Sequence, residues 1–189
     1  RLAWEDSSDR FILQRASSVT GVFDHVGGVL SDPQAVFTHS STTSFIRVRE
    51  VDVVVFADAA LETEVLGTIA AKFDPPGEIY DIDLTGMTQL VASSEVITNL
   101  VGLGHAADLT SLVMRWNQIT DLAPLSNLTA LVYLELKDND IVDLSVVSSL
   151  TSLVHLDLEK NAISNVTPLI ALSDLAYLDL GENSLGDIG

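Results

Sequence analysis

The chain has no cysteine. That excludes a disulfide framework and a thiolate zinc site, without fixing the compartment. Basic residues are scarce: nine Lys and Arg stand against 27 Asp and Glu, a formal net charge of −18. Residues 84–189 hold 13 acidic and 3 basic residues and residues 1–83 hold 14 and 6, so the acidity is spread along the chain and not confined to a tail. Such a field repels phosphates, so neither nucleic acid nor an anionic membrane is expected as a partner. Its plain consequence is solubility. No apolar run reaches the ~18 residues of a membrane span, so no membrane insertion is expected. There is no Gly-rich phosphate loop, no G-x-S-x-G and no H-E-x-x-H. The Asp and Glu pairs fall on what reads as solvated surface, so no catalytic residue, metal or cofactor is expected. His25, His39, His105 and His155 lack ligand-like spacing.

What the chain does have is 47% hydrophobic residues, enough for a core, and a period. Leu128-Thr-Ala-Leu131-Val-Tyr-Leu134-Glu-Leu136-Lys-Asp-Asn139-Asp-Ile141 returns 22 residues later with Leu150, Leu153, Leu156, Leu158, Asn161 and Ile163. A third copy carries Leu172, Leu175, Leu178, Leu180, Asn183 and Leu185. One period earlier, Ala106, Leu109, Leu112, Met114, Asn117 and Ile119 are in phase. The copy before that has Leu84, Met87, Leu90, Ala92 and Ile97, with Glu95 in place of the Asn. The pattern L-x-x-L-x-L-x-x-N-x-I is that of a leucine-rich repeat. Its x-L-x-L part is a short strand whose Leu residues share one side. The Asn amide is a structural device, positioned to satisfy backbone groups where the chain turns. That role is expected for Asn117, Asn139, Asn161 and Asn183. A single coil cannot bury its apolar face, but a stack of coils makes a continuous core.

The expected fold is an α/β repeat: a leucine-rich-repeat solenoid over 84–189, with coils starting near 84, 106, 128, 150 and 172, the last incomplete. Its parallel β-sheet forms the concave face. A helical cap over 53–83 precedes it, with Asp58 as N-cap and Leu61, Val65, Leu66, Ile69 and Phe73 on one apolar face. Residues 1–52 read as a small all-β, sandwich-like piece, with short strands at Leu2–Trp4, Phe11–Arg15, Val22–Val26, Ala35–Thr38 and Phe45–Val51. Residue 1 is Arg, and the repeat at Gly189 stops before its return limb, so both ends read as cut from a longer parent chain. The absence of a targeting segment is then uninformative.

If the Leu side chains face inward, the residues between them form columns on the outer face, with rungs about 4.8 Å apart. The first column is Gln89, Ser111, Tyr133, His155 and Tyr177. The second is Val91, Val113, Glu135, Asp157 and Asp179. The third is Ser93, Arg115, Lys137, Glu159 and Gly181, and the fourth Ser94, Trp116, Asp138, Lys160 and Glu182. Tyr133, His155, Tyr177 and Trp116 are of the kind enriched in binding hot spots, or else they pack on one another to cover the sheet. Glu135, Asp157 and Asp179 set like charges side by side. Arg115, Lys137 and Lys160 can compensate them; otherwise the ladder is a patch for a basic ligand or Ca²⁺.

Two resemblances add to this reading. Phe56-Ala-Asp-Ala-Ala-Leu-Glu, Gly77-Glu-Ile-Tyr-Asp-Ile-Asp-Leu-Thr-Gly-Met and Ile97-Thr-Asn-Leu-Val-Gly-Leu, with the repeats, resemble the cap and first repeat of bacterial internalin-like leucine-rich-repeat proteins. Trp4, Phe11–Arg15, Phe23–Val26 and Phe45-Ile-Arg-Val-Arg resemble part of a fibronectin type III-like module, with Ser44 where that family's corner tyrosine usually stands. The first resemblance implies a secreted or surface-attached bacterial protein that binds another macromolecule. The expected function is therefore a non-catalytic module holding a protein or glycan ligand on the concave sheet, through Tyr133, His155, Tyr177, Trp116, Arg115, Glu135, Asp157, Asp179 and Lys137. The alternative is a structural spacer with no ligand of its own.

Overall fold

The computed structural model describes residues 11–16, 24–25, 45–50, 53–69 and 79–186. The chain divides into two compact units, Arg1–Val53 and Val54–Gly189.

In the first unit, β1 (Phe11–Ala16), β2 (Asp24–His25) and β3 (Phe45–Glu50) form an antiparallel sheet in the order β2-β1-β3. Phe11 pairs with Glu50 and Ala16 with Phe45, so the two aromatic residues that start the runs sit at opposite ends of the ladder. The expected strands at Leu2–Trp4 and Ala35–Thr38 lie outside the described residues.

At the start of the second unit, β4 (Val53–Val54), whose first residue is the last of the first unit, pairs with β5 (Ile79–Tyr80). Between them lies α1 (Ala59–Ile69), which buries Leu61, Val65 and Ile69 on one face and packs against the first repeat strand. Asp58 starts this helix. Its Oδ1 accepts from the N–H groups of Ala60 and Leu61 at 3.0 and 3.2 Å, satisfying donors that the first turn leaves free. Its Oδ2 accepts from the N–H and hydroxyl of Thr98 at 2.8 and 3.1 Å, clasping the helix start to the first coil. Burial works against the Asp58 carboxylate, but the hydrogen bonds from Thr98, Leu61 and Ala60 outweigh it and hold its pKa below the usual value. The sequence pattern carries the helix on to Phe73; residues 70–78 lie outside the described residues.

The repeats form a five-stranded parallel sheet from β6 (Gln89–Val91), β7 (Ser111–Val113), β8 (Tyr133–Glu135), β9 (His155–Asp157) and β10 (Tyr177–Asp179), in chain order. Each residue pairs with the one 22 positions on, so the sequence period is the sheet register. The return limbs turn through 3-10 segments at Leu103–His105, Ala123–Leu125, Ser145–Ser149 and Thr167–Ala171. Leu90, Leu112, Leu134 and Leu156 are buried at one register. Leu178, on the last described strand, is 42% exposed because no further coil covers it among the described residues.

The asparagines bind coil to coil. Asn139 Oδ1 accepts from Ile119 N–H, 20 residues earlier, at 3.0 Å, and its Nδ2 donates to Met114 O, 25 earlier, at 2.9 Å. Asn117, Asn161 and Asn183 make the same two bonds, to Ile97 and Ala92, Ile141 and Leu136, and Ile163 and Leu158. Each amide also donates within its own coil, as Asn161 does to Leu158 O at 3.1 Å. One side chain thus satisfies backbone groups on two neighbouring coils, which buried backbone requires.

The residue before each Asn takes a left-handed backbone: φ is 56° at Trp116, 59° at Asp138, 57° at Lys160 and 52° at Glu182. This corrects the reading of the fourth column as strand. The strands are three residues long, and Trp116 and its equivalents stand in the turn beyond them. The conformation costs an L-residue about 1–2 kcal/mol, offset here by the coil-to-coil hydrogen bonds that the turn places.

Candidate recognition face

The outer face of β8, β9 and β10 carries the cluster. Alternation turns Tyr133, His155 and Tyr177 outward at one register. The rings stack: Tyr133 on His155 with centroids 4.1 Å apart and planes 12° apart, and His155 on Tyr177 at 4.2 Å and 3°. Two residues on, Glu135 is only 3% exposed and Asp157 only 8%. This corrects the expectation that every acidic pair of the repeats lies on a solvated face. Alternation does point Glu135 outward, but neighbouring side chains close over it. Tyr133 donates its hydroxyl proton to Glu135 Oε1, and the Arg115 guanidinium from the preceding coil pairs with Oε2. His155 Nε2 lies 3.5 Å from Oε1. Neither His155 Nε2 nor Arg115 Nε, both shielded from solvent, has a hydrogen-bond partner among the described residues.

Donating to Glu135 makes the Tyr133 hydroxyl hold its own proton more tightly. That bond, then burial and the Glu135 charge, push the phenol pKa up. The Tyr177 phenol is raised too, by burial and by the charges of Asp179 and Asp157. Lys137 pairs with Glu159 across one rung, and this bond, with the charges of Glu159, Asp157 and Asp179, raises its pKa. Lys160 reaches Glu182 at 4.0 Å. Compensation of the acidic ladder is therefore partial: Arg115 meets Glu135, but Asp157 and Asp179 have no ion pair among the described residues. Asp157, Glu159 and Asp179 bring carboxylate oxygens within 4.8 Å of one another. Lys137 is already bound to one of the three, and Asp157 Oδ1 and Asp179 Oδ1 accept from the N–H groups of Glu159 and Gly181 at 3.0 and 2.9 Å.

The structure thus brings together Tyr133, His155, Tyr177, Arg115, Glu135, Lys137, Asp157 and Asp179. Trp116 is 52% exposed and stands apart in its turn, without a ring partner among the described residues. Sequence reasoning missed Val132 and Val154, exposed side chains that immediately precede the aromatic row on β8 and β9. The signal was available: both are bulky apolar residues at one phase of the period, where the other coils carry Thr88, Thr110 and Ala176.

Comparison with known proteins agrees with this architecture. A leucine-rich-repeat family model matches residues 105–122. No protein of curated function matches the sequence. Among solved structures, internalin InlF of Listeria monocytogenes is 33% identical over 70% of this chain, with a TM-score of 0.66. Internalin C2 of the same species is 31% identical over 71% of this chain and 69% of its own, with a TM-score of 0.54. The functional domain of InlJ, also from Listeria monocytogenes, is 28% identical over 71% of this chain, with a TM-score of 0.63. The chain spans 39% of the InlF chain and 29% of the InlJ chain. In period, sheet and sequence, the chain belongs to the bacterial internalin-like leucine-rich-repeat proteins.

Proposed function

We propose that this chain is a non-catalytic protein-binding module of a bacterial surface or secreted protein, and that it docks its ligand on the outer face of β8–β10. The Tyr133–His155–Tyr177 stack carries the reading. Aromatic side chains held rigid by stacking lose little entropy on binding and are typical anchors. Glu135 locks Tyr133 from beside the stack, with Arg115 holding Glu135 in turn, so the row is pre-ordered before any ligand arrives.

The stack also favours protein over glycan. Four of its six ring faces are covered by one another, which leaves mostly edges toward a ligand. Sugar stacking needs open ring faces, whereas protein side chains pack against edges. Within the same proposal, residues 53–83 cap the first coil, supported by the buried face of α1 and the Asp58–Thr98 clasp. Residues 1–52 form the fibronectin type III-like neighbour, supported by the β2-β1-β3 sheet. The test is a panel of purified extracellular proteins probed with the 1–189 chain. A partner bound by the parent chain should lose at least about tenfold in affinity to the Tyr133→Ala/Tyr177→Ala variant. Unchanged affinity with a matched fold would overturn the assignment of the face.

A further inference from the structure

Three rows of side chains run at neighbouring positions of the repeat. Val132 and Val154 form an exposed aliphatic edge. Tyr133, His155 and Tyr177 form the aromatic row beside it. Glu135, Asp157 and Asp179 form the acidic row beyond. Around that row, the carboxylates of Glu135, Asp157, Glu159 and Asp179 outnumber the cations, Arg115 and Lys137, and both cations are already engaged, with Glu135 and Glu159. Asp157 is more than nine-tenths buried, is in no ion pair, and its Oδ2 accepts no hydrogen bond among the described residues. Its Oδ1 is held by the Glu159 N–H, whereas its Oδ2 stays open to solvent and keeps an acceptor free for an incoming cation. A free divalent ion is a poor candidate, because the Lys137 ammonium already sits on one of the three carboxylates it would use. The other half of the same face differs: β6 and β7 offer Gln89, Ser111, Val91 and Val113, with no charge on the strands.

We infer that this face takes a polypeptide segment that alternates lysine or arginine with apolar residues. Its apolar side chains lie over Val132, Val154 and the ring edges, and its cations meet Asp157 and Asp179. The inference rests on the protein-binding reading above and adds the chemistry of the partner. The overall charge of −18 steers such a segment toward the chain at long range.

The probe is a capped Arg-Val-Arg-Phe-Arg-Val-Arg peptide. It is compared by fluorescence anisotropy with a counterpart in which every Arg is Glu, against the 1–189 chain at low and high salt. The basic peptide binds and the acidic one does not, and affinity falls as salt rises. Asp157→Asn/Asp179→Asn weakens the basic peptide about tenfold, the loss of one to two charge contacts. The same two charges removed elsewhere, at the exposed positions Asp140→Asn/Asp174→Asn, leave it within about twofold. Asn keeps the acceptor that Glu159 N–H needs, and Asp179→Asn alone, at the more exposed position, gives a partial loss if the double variant folds poorly. Equal loss in both double variants would reduce the effect to general acidity and overturn the inference. So would equal affinity, or none, for the two peptides. A protein partner lost by Tyr133→Ala/Tyr177→Ala but held by Asp157→Asn/Asp179→Asn at any salt would overturn the cationic partner while leaving the recognition face in place.

Discussion

The two faces of the five-stranded sheet share one backbone and one register, yet they are written differently. The inner face repeats itself: Leu90, Leu112, Leu134 and Leu156 are buried at equivalent positions. The outer face changes at every rung, from Gln89 and Ser111 to Tyr133, His155 and Tyr177. Repetition inside is what stacking demands, since each coil must offer its neighbour the same apolar surface. Variation outside is what the stack tolerates, and it is where recognition can be placed without disturbing the fold. The inner face and the Asn turns hold the stability of the repeats, and the outer face, free to vary, is where recognition is proposed.

Substitutions sharpen that contrast. The largest effect is expected of Leu156→Asp, which puts an unpaired charge among packed Leu side chains and should abolish cooperative unfolding of the repeats, a loss beyond about 4 kcal/mol. A cooperative melt near the parent temperature would break the division between faces. Asn139→Ala comes next. It orphans the Ile119 N–H and the Met114 carbonyl in buried surroundings, and should cost about 2–4 kcal/mol in urea unfolding. Asn183→Ala, in the more exposed last coil, should cost less.

Asp58→Ala should cost about 1–2 kcal/mol, as a lost helix cap does. The acid limb carries a signature of the same residue. Its folded pKa is below the unfolded value. The stabilisation is therefore complete above about pH 4, the unfolded range, and is lost as pH falls through the folded pKa. Asp58→Asn should flatten the decline in melting temperature over that acidic range. The smallest shift has the opposite sign. Lys160→Gly relieves a left-handed backbone at φ 57°, and should raise stability by up to about 1 kcal/mol, read as a higher urea midpoint.

Much of this was legible in the chain. The 22-residue period predicts the register because stacked coils can only pair equivalent positions. Leu134 and Leu156 were inward by alternation alone. The Asn residues were legible as structural, but their partners were not: the bonds run 20 and 25 residues back, onto another coil. The burial of Glu135 was hidden for a similar reason. Alternation places it outward, and only the arrival of Tyr133, Arg115 and His155 from three coils closes it off. Lys137 was readable as near the acidic ladder, but its choice of Glu159 over Asp157 depends on side-chain reach across one rung. The short strands at Phe11–Ala16 and Phe45–Glu50 were visible as alternating runs, whereas their pairing in the order β2-β1-β3 was not.

Recognition is proposed to reside on the aromatic row of the outer face. The most direct test is the affinity of the Tyr133→Ala/Tyr177→Ala chain for a protein partner of the parent chain, with folding matched by circular dichroism. A loss of at least about tenfold with little change in melting temperature is expected. Undiminished affinity in a fully folded variant would contradict it.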